Sequence, residues 1–143
     1  MIWLNRIQIP AKTEHLQSVR SFIEKAVRKA GITEERAHPF LMAVDEAIAN
    51  IALYGYPDDE RQKKDHYKIK VCYRLKKNVL EVIVEDKSFH YNPLENICMK
   101  PEDSIDSMST RGRGLYAIQN FPDEVCDHAL KKGNRLILRI YRS

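Results

Sequence analysis

The sequence predicts an α+β fold, a two-layer α/β sandwich with a mixed, mainly antiparallel sheet and its helices on one face. Apolar and charged residues alternate over residues 67–76 and 80–85, which predicts a hairpin with one face in water. Apolar residues with helical spacing over residues 14–30 and 39–54 predict two helices that cover the other face. At 143 residues and 43% hydrophobic content, we expect a single domain spanning 1–143.

The limits of the predicted elements follow from the residues that start and stop them. Pro10 ends the first strand, Thr13 caps the first helix and Gly31 ends it. Pro39 suits the first turn of the second helix, and Gly55 ends that helix. In chain order the predicted elements are a strand at 2–9, a helix at 14–30, a helical turn at 33–37, a helix at 39–54, strands at 67–76 and 80–85, a short helix at 115–120, and strands at 124–130 and 135–141.

Basic residues on the predicted hairpin allow two interpretations. Lys68, Lys70 and Arg74, together with a formal net charge of +4, are compatible with a nucleic-acid surface. Their strict alternation with apolar residues favours a solvated sheet face instead. We therefore expect these three side chains to be exposed, and we expect no direct contact with nucleic acid.

The segment between the predicted hairpin and the short helix has no periodicity. Such a long loop inside a compact domain is either a functional lid or a disordered segment. Its length and its acidic residues Glu102, Asp103 and Asp106 lead us to predict a lid at residues 92–110, mobile without a bound ligand and ordered with one.

Composition excludes several classes of protein. The cysteines Cys72, Cys98 and Cys126 are odd in number and far apart, which indicates neither a disulfide framework nor a zinc site. The first residues contain no long apolar run, so we expect neither a signal peptide nor a membrane span. The expectation is a soluble, cytoplasmic protein.

The predicted helix at 39–54 carries the first candidate site residues. Glu46 and Asn50 lie one helical turn apart and therefore on the same face. Asn50 can offer its carboxamide oxygen to a hard cation, and Glu46 can accept a proton from a hydroxyl group. An isolated pair of this kind is usually a polar face in water, so the interpretation depends on the motifs that follow.

Two further motifs follow in a characteristic order. A predicted strand ends at Asp86, and Arg111-Gly112-Arg113-Gly114-Leu115 opens the short helix after the long loop. This order resembles the ATP-binding fold of gyrase, the heat-shock chaperone ATPase, histidine kinases and mismatch-repair ATPases. The similarity covers nearly the whole chain and is greatest to the single-domain anti-sigma factor serine/threonine kinases of bacterial partner-switching systems.

The resemblance implies a role for each matching residue. Glu46 matches the acid near the γ-phosphate that is thought to act as general base, and Asn50 matches the residue that binds Mg²⁺. Asp86 matches the acid that accepts a hydrogen bond from the adenine amino group. Gly112 and Gly114 match the glycines whose amides approach the phosphates at a helix N-terminus, a place that favours anions.

The remaining residues of the two glycine motifs complete the predicted cofactor site. Arg111 and Arg113 can add positive charge beside the phosphates, and Leu115 closes the second motif. Ser88 stands where the family has glycine, two residues after the adenine-binding acid. Its Cβ restricts this turn, although serine is the smallest such replacement that can also form hydrogen bonds.

Two functions fit these residues. The first is a kinase that uses ATP and Mg²⁺ to phosphorylate a small antagonist protein and also sequesters a sigma factor; intact Glu46 and Asn50 favour it. The second is a partner-switching binding module with weak or no turnover, which Ser88 favours. The ATPase part of a histidine kinase fits poorly, because no helix with a phospho-acceptor histidine precedes the domain. The resemblance also implies a homodimer.

Overall fold

The computed structural model describes residues 3–54, 67–87, 98–99 and 113–143. Its helices are a 3₁₀ turn at Thr13–His15, α1 at Leu16–Ala30, α2 at Glu34–Tyr54 and α3 at Arg113–Asn120. Its strands are β1 at Trp3–Pro10, β2 at Lys68–Leu75, β3 at Val79–Asp86, β4 at Cys98–Met99, β5 at Glu124–Leu130 and β6 at Gly133–Tyr141. The predicted two-layer α+β fold is confirmed.

The six strands form one sheet in the order β1-β2-β3-β6-β5-β4. Every pairing between the described strands is antiparallel, including the central pair of β3 and β6. The register of that central pair sets Asp86 opposite Asn134 at one end and Val79 opposite Tyr141 at the other. These two ends, called the Asp86 end and the Tyr141 end below, give a reference frame for the helices.

The helices cover only one face of the sheet. α1 packs on β2 and β3, α2 packs on β3, and α3 packs on α2 and β5. The rings of Phe22 in α1 and Tyr73 in β2 have centroids 5.2 Å apart. On the opposite face Lys68, Lys70 and Arg74 are exposed, as the alternating pattern predicted.

α2 is longer than the sequence predicted. The helix begins at Glu34, so Pro39 lies inside it and the expected separate turn at 33–37 does not exist. The Thr33 side chain accepts a hydrogen bond from the Arg36 amide at 3.4 Å, which caps the early start. Pro39 therefore costs a backbone hydrogen bond in the second turn but does not interrupt the helix.

α1 begins later than predicted and ends where predicted. The 3₁₀ turn at Thr13–His15 takes the place of its first residues, and Thr13 makes no cap to α1. Gly31 ends the helix in the left-handed conformation, with φ +73°, and its amide bonds the Arg28 carbonyl at 3.1 Å.

An ion-pair network ties the outer face of the sheet together near the Tyr141 end. Glu81 is only 3% exposed, and its carboxylate lies 2.6 Å from Arg139 Nε and 3.1 Å from Lys76 Nζ. Arg139 also lies 2.6 Å from Glu124. Burial acts to raise the pKa of Glu81, but the hydrogen bonds and charges of Arg139 and Lys76 outweigh it, and the pKa is lowered.

The bonding state of the cysteines differs from the sequence prediction. Cys126 is disulfide-bonded, whereas Cys72 is free. The pairing of β4 with β5 brings the Cα of Cys98 opposite that of Cys126. Spacing along the sequence could not show this, because the two positions become neighbours only when the strands pair.

Two other expectations, the lid and the absence of a membrane span, can be compared with only the described residues. The predicted lid at 92–110 lies outside the described residues, except for the two residues of β4, which the sequence assigned to loop. In the described ranges, no helix has the length and apolar character needed to cross a membrane.

Candidate nucleotide-binding site

α2 carries Glu46 and Asn50 next to the face that it buries in the core. Val44, Ala47 and Ile48 are at most 2% exposed and belong to the hydrophobic core, as the helical spacing predicted. Glu46 and Asn50 are both half-buried. The core contacts therefore fix the rotation of α2, and this rotation sets where the two polar side chains lie.

Glu46 lies at a cleft between α2 and the start of α1. The cavity has a volume of about 250 Å³ and is lined by Leu16, Gln17, Arg20, Asp45, Glu46 and Ala49. Arg20 forms an ion pair with Asp45, and its Nε lies 3.5 Å from Glu24. Arg20 and Asp45 therefore give the cleft beside Glu46 a polar wall.

The carboxyl group next to Glu46 in the sequence has an altered acidity. Burial raises the pKa of Asp45, the ion pair with Arg20 opposes this shift, and the charge of Glu24 adds to it. The net direction is upward. Burial therefore outweighs the ion pair between α1 and α2 at this position.

Asp86 is the last residue of β3 and is 6% exposed. Asn134, the residue opposite it on β6, is 9% exposed and directs its Nδ2 to Asp86 Oδ1 at 3.5 Å. A buried carboxylate with a carboxamide donor on one oxygen is held in a defined orientation. Sequence reasoning assigned no functional role to Asn134, which lies between the strands predicted at 124–130 and 135–141.

Gly133 brings the backbone of the β5–β6 turn against the end of β3. It has φ +123°, and a Cβ built on it would lie 1.9 Å from the Asp86 carbonyl oxygen. No residue with a side chain fits here without moving the backbone. Gly133 and Asn134 together support Asp86 from the neighbouring strand, and the glycine at this turn was the only sequence signal for them.

α2 runs from the Tyr141 end of the sheet toward the Asp86 end. In its first turn, Arg36 donates through Nη2 to the Tyr141 carbonyl oxygen at 2.7 Å. Its second half reaches the segment after β1, because Glu46 shares the cleft with Leu16 and α2 packs on the 3₁₀ turn. That segment follows Pro10, which pairs with Lys68 beside the Asp86 end. Glu46 and Asn50 therefore lie toward that end.

α3 packs on α2 and β5. It finishes at Asn120, and Glu124 then starts β5 opposite Arg139, near the Tyr141 end. The backbone of Gly114 lies in the first turn of α3, and a helix N-terminus is a place suited to an anion.

Some predicted site residues lie outside what the structure describes. Ser88, Arg111 and Gly112 are in this group, and Arg113, Gly114 and Leu115 are described only as the first residues of α3. α2 packs on both β3 and α3, so the described parts of the three motifs lie on neighbouring elements. They combine a carboxamide, a buried carboxylate and a helix N-terminus.

This donor set suits a magnesium–nucleotide complex better than a protein-held metal. No cluster of three or more histidine, cysteine or acidic side chains that could hold a metal occurs among the described residues. Mg²⁺ keeps much of its shell as water and phosphate oxygens and needs few protein ligands. Asn50 supplies one oxygen of the right kind, and Asp86 supplies a buried acceptor.

Comparison with known families agrees with this arrangement. The Histidine kinase-like ATPase domain family matches residues 9–140. The chain belongs to this family. The resemblance stated from the sequence motifs is thus confirmed at the level of the family and the fold, and it extends over nearly the whole domain.

Two curated relatives and one solved structure show which members of this family the chain is similar to. The chain is 28% identical to the serine-protein kinase RsbW of Bacillus velezensis, over 83% of this chain and 74% of the relative. It is 25% identical to RsbW of Bacillus subtilis over the same shares. A crystal structure of the RsbU and RsbW domains of Rv1364c from Mycobacterium tuberculosis superposes with a TM-score of 0.65 and 14% identity, covering 96% of this chain and 32% of that one. This chain spans about a third of that solved chain.

Proposed function

We propose that this protein is an ATP-dependent serine/threonine kinase of a bacterial partner-switching system. It phosphorylates a small antagonist protein and sequesters a sigma factor when that antagonist is phosphorylated. The observation that carries the proposal is the packing of α2, which bears Glu46 and Asn50, against both β3 and α3. The similarity to serine-protein kinases named RsbW supports it.

In this proposal each motif has a separate task. Asp86, oriented by Asn134, accepts a hydrogen bond from the adenine amino group. The amides at the start of α3 approach the phosphates, and Asn50 supplies an oxygen to Mg²⁺. ATP supplies the phosphoryl group and Mg²⁺ offsets the charge on its phosphates when both are bound. Ser88, Arg111, Gly112, Arg113 and Leu115 remain proposed members of the cofactor site.

Glu46 is the proposed general base. Its carboxylate lies at the open cleft between α1 and α2, where a hydroxyl of a protein substrate has access. Glu46 would accept the proton of the attacking serine or threonine hydroxyl as its oxygen bonds the γ-phosphorus of ATP and ADP leaves. We also propose that the protein acts in the cytoplasm and as a homodimer, as the resemblance implies.

The test is transfer of labelled phosphate from ATP to a small protein in an extract of the source cells. Glu46→Gln should lower the rate about 10²–10⁴-fold and leave ATP affinity within a factor of about two, since a base contributes little to ground-state binding. Asn50→Ala should lower both. Glu35→Gln, an exposed position on the same helix, is the matched control and should change neither.

The second candidate is a binding module on the same fold with weak or no turnover. Ser88, in place of the family's glycine, favours it. ATP binding that is lost in Asp86→Asn, with no labelled protein product from the wild type, would support the module. Full phosphotransfer by Glu46→Gln would remove Glu46 from the role of base.

A further inference from the structure

The outer face of β1 and β2 is basic and has no acidic residue of its own. Neither strand contains aspartate or glutamate. Their register places Arg6, Lys70 and Arg74 on this face together with Lys68. All four side chains are exposed. The two strands therefore present positive charge on the face opposite the described helices.

The carboxylates of the next strand neutralise this surface only in part. Glu81 lies 2.6 Å from Arg139 and 4.0 Å from Arg74, and Glu85 lies 3.3 Å from Arg135. In the part of the chain that the structure describes, Arg6, Lys68 and Lys70 have no carboxylate within ion-pair distance. Their charges are available to an external partner.

The surface is concave as well as basic. Two adjoining cavities of about 290 Å³ and 420 Å³ share Gln8 and Lys70 as lining residues. Basic side chains from four parts of the chain line these two cavities: β1, β2, the end of β3 and the β5–β6 turn. We call these side chains the basic groove: Arg6, Lys68, Lys70, Lys87 and Lys132.

We propose that the basic groove binds an extended acidic segment of a partner protein. Lys68 and Lys70 are two residues apart on one strand, which separates them by roughly 6.6 Å. Carboxylates on alternate residues of an extended segment have the same spacing. Such a segment can place successive acidic side chains against successive lysines, with Arg6 and Lys132 at the flanks.

The distribution of charge in the groove favours an acidic protein over nucleic acid. Tyr67 also lines the groove, just before the start of β2. Glu85 and Asp86 line the groove among the lysines, and their charge opposes a continuous phosphate backbone. Asp86 lines this groove and is also the proposed adenine ligand, so the groove adjoins the proposed nucleotide site.

The test measures binding of a fluorescein-labelled peptide of about twelve residues that alternates glutamate and threonine. Fluorescence anisotropy with the full chain should show saturable binding that weakens as salt is raised. The pair Lys68→Glu with Lys70→Glu should weaken it at least tenfold. The control pair Lys25→Glu with Arg28→Glu, exposed on α1, lowers the formal net charge by the same four units, from +4 to zero.

The control variant and a DNA duplex, used as a second ligand, distinguish the possible results. Thermal unfolding of both variants should match the wild type, which shows that the exposed substitutions leave the fold intact. Absence of peptide binding by the wild type would overturn the proposal. So would an equal loss in both charge-reversed pairs, because attraction would then depend on net charge alone. Tighter binding of a DNA duplex of the same length through Lys68 and Lys70 would assign the groove to nucleic acid instead.

Discussion

Gly133 and Asp86 approach each other so closely that a Cβ on Gly133 would lie 1.9 Å from the Asp86 carbonyl oxygen. The contact joins the β5–β6 turn to the end of β3, where the proposed adenine-binding carboxylate lies. The next residue, Asn134, donates to that carboxylate. The backbone approach and the hydrogen bond together fix the position of Asp86.

The first prediction compares the two glycines that have positive φ in the described residues. Gly31→Ala should lower the free energy of unfolding by about 1–2 kcal/mol, the cost of a left-handed alanine, since nothing lies within 4 Å of the added Cβ. Gly133→Ala should cost clearly more, because the backbone of β3 must also move. Urea unfolding measures both, and equal losses would show that the turn relaxes without strain.

The second prediction concerns Asn134 and rests on the proposed nucleotide site. Asn134→Ala removes the donor to Asp86 and should weaken ATP binding about fivefold, the equivalent of roughly 1 kcal/mol for one hydrogen bond. Affinity for a purine riboside triphosphate, which lacks the 6-amino group, should barely change. In a double-mutant cycle with Asp86→Asn the two effects should not add. Additive effects would mean that Asn134 does not act through Asp86.

The third prediction concerns the buried ion pair on the outer face. The folded-state pKa of Glu81 is lowered, so its contribution to stability is present above the unfolded-state pKa near 4.5 and is lost as pH falls through the lower folded value. Glu81→Gln should reduce stability at pH 7 by about 1.5–3 kcal/mol and should flatten the loss of stability below pH 4.5. Glu14→Gln, at an exposed glutamate, is the control. An unchanged acid profile in Glu81→Gln would show that other carboxyl groups dominate.

Local patterns in the sequence were sufficient to predict the two main helices and the hairpin. Alternation located β2 and β3, and helical spacing identified the buried face of α2, because both patterns depend only on neighbouring residues. Pro39 was misjudged for a related reason. Its position suggested a helix start, but the Thr33 cap lies six residues earlier and allows the helix to begin before the proline.

Features that depend on strand pairing could not be predicted in the same way. Asn134 faces Asp86 only because β6 pairs with β3 in one register, across 48 residues of sequence. The Cα of Cys98 meets that of Cys126 for the same kind of reason. The motif residues were found because the family resemblance identified them, whereas their support from the neighbouring strand required the structure.

Calorimetric titration of the full chain with ATP, with and without Mg²⁺, tests the central claim most directly. The account predicts saturable binding at one site per chain that is stronger with Mg²⁺. Asp86→Asn should weaken it by about 1–3 kcal/mol, the cost of breaking a buried hydrogen bond, and Asn50→Ala should remove the effect of Mg²⁺. No binding by the wild type at millimolar ATP would contradict the claim that α2, β3 and α3 together form a nucleotide site.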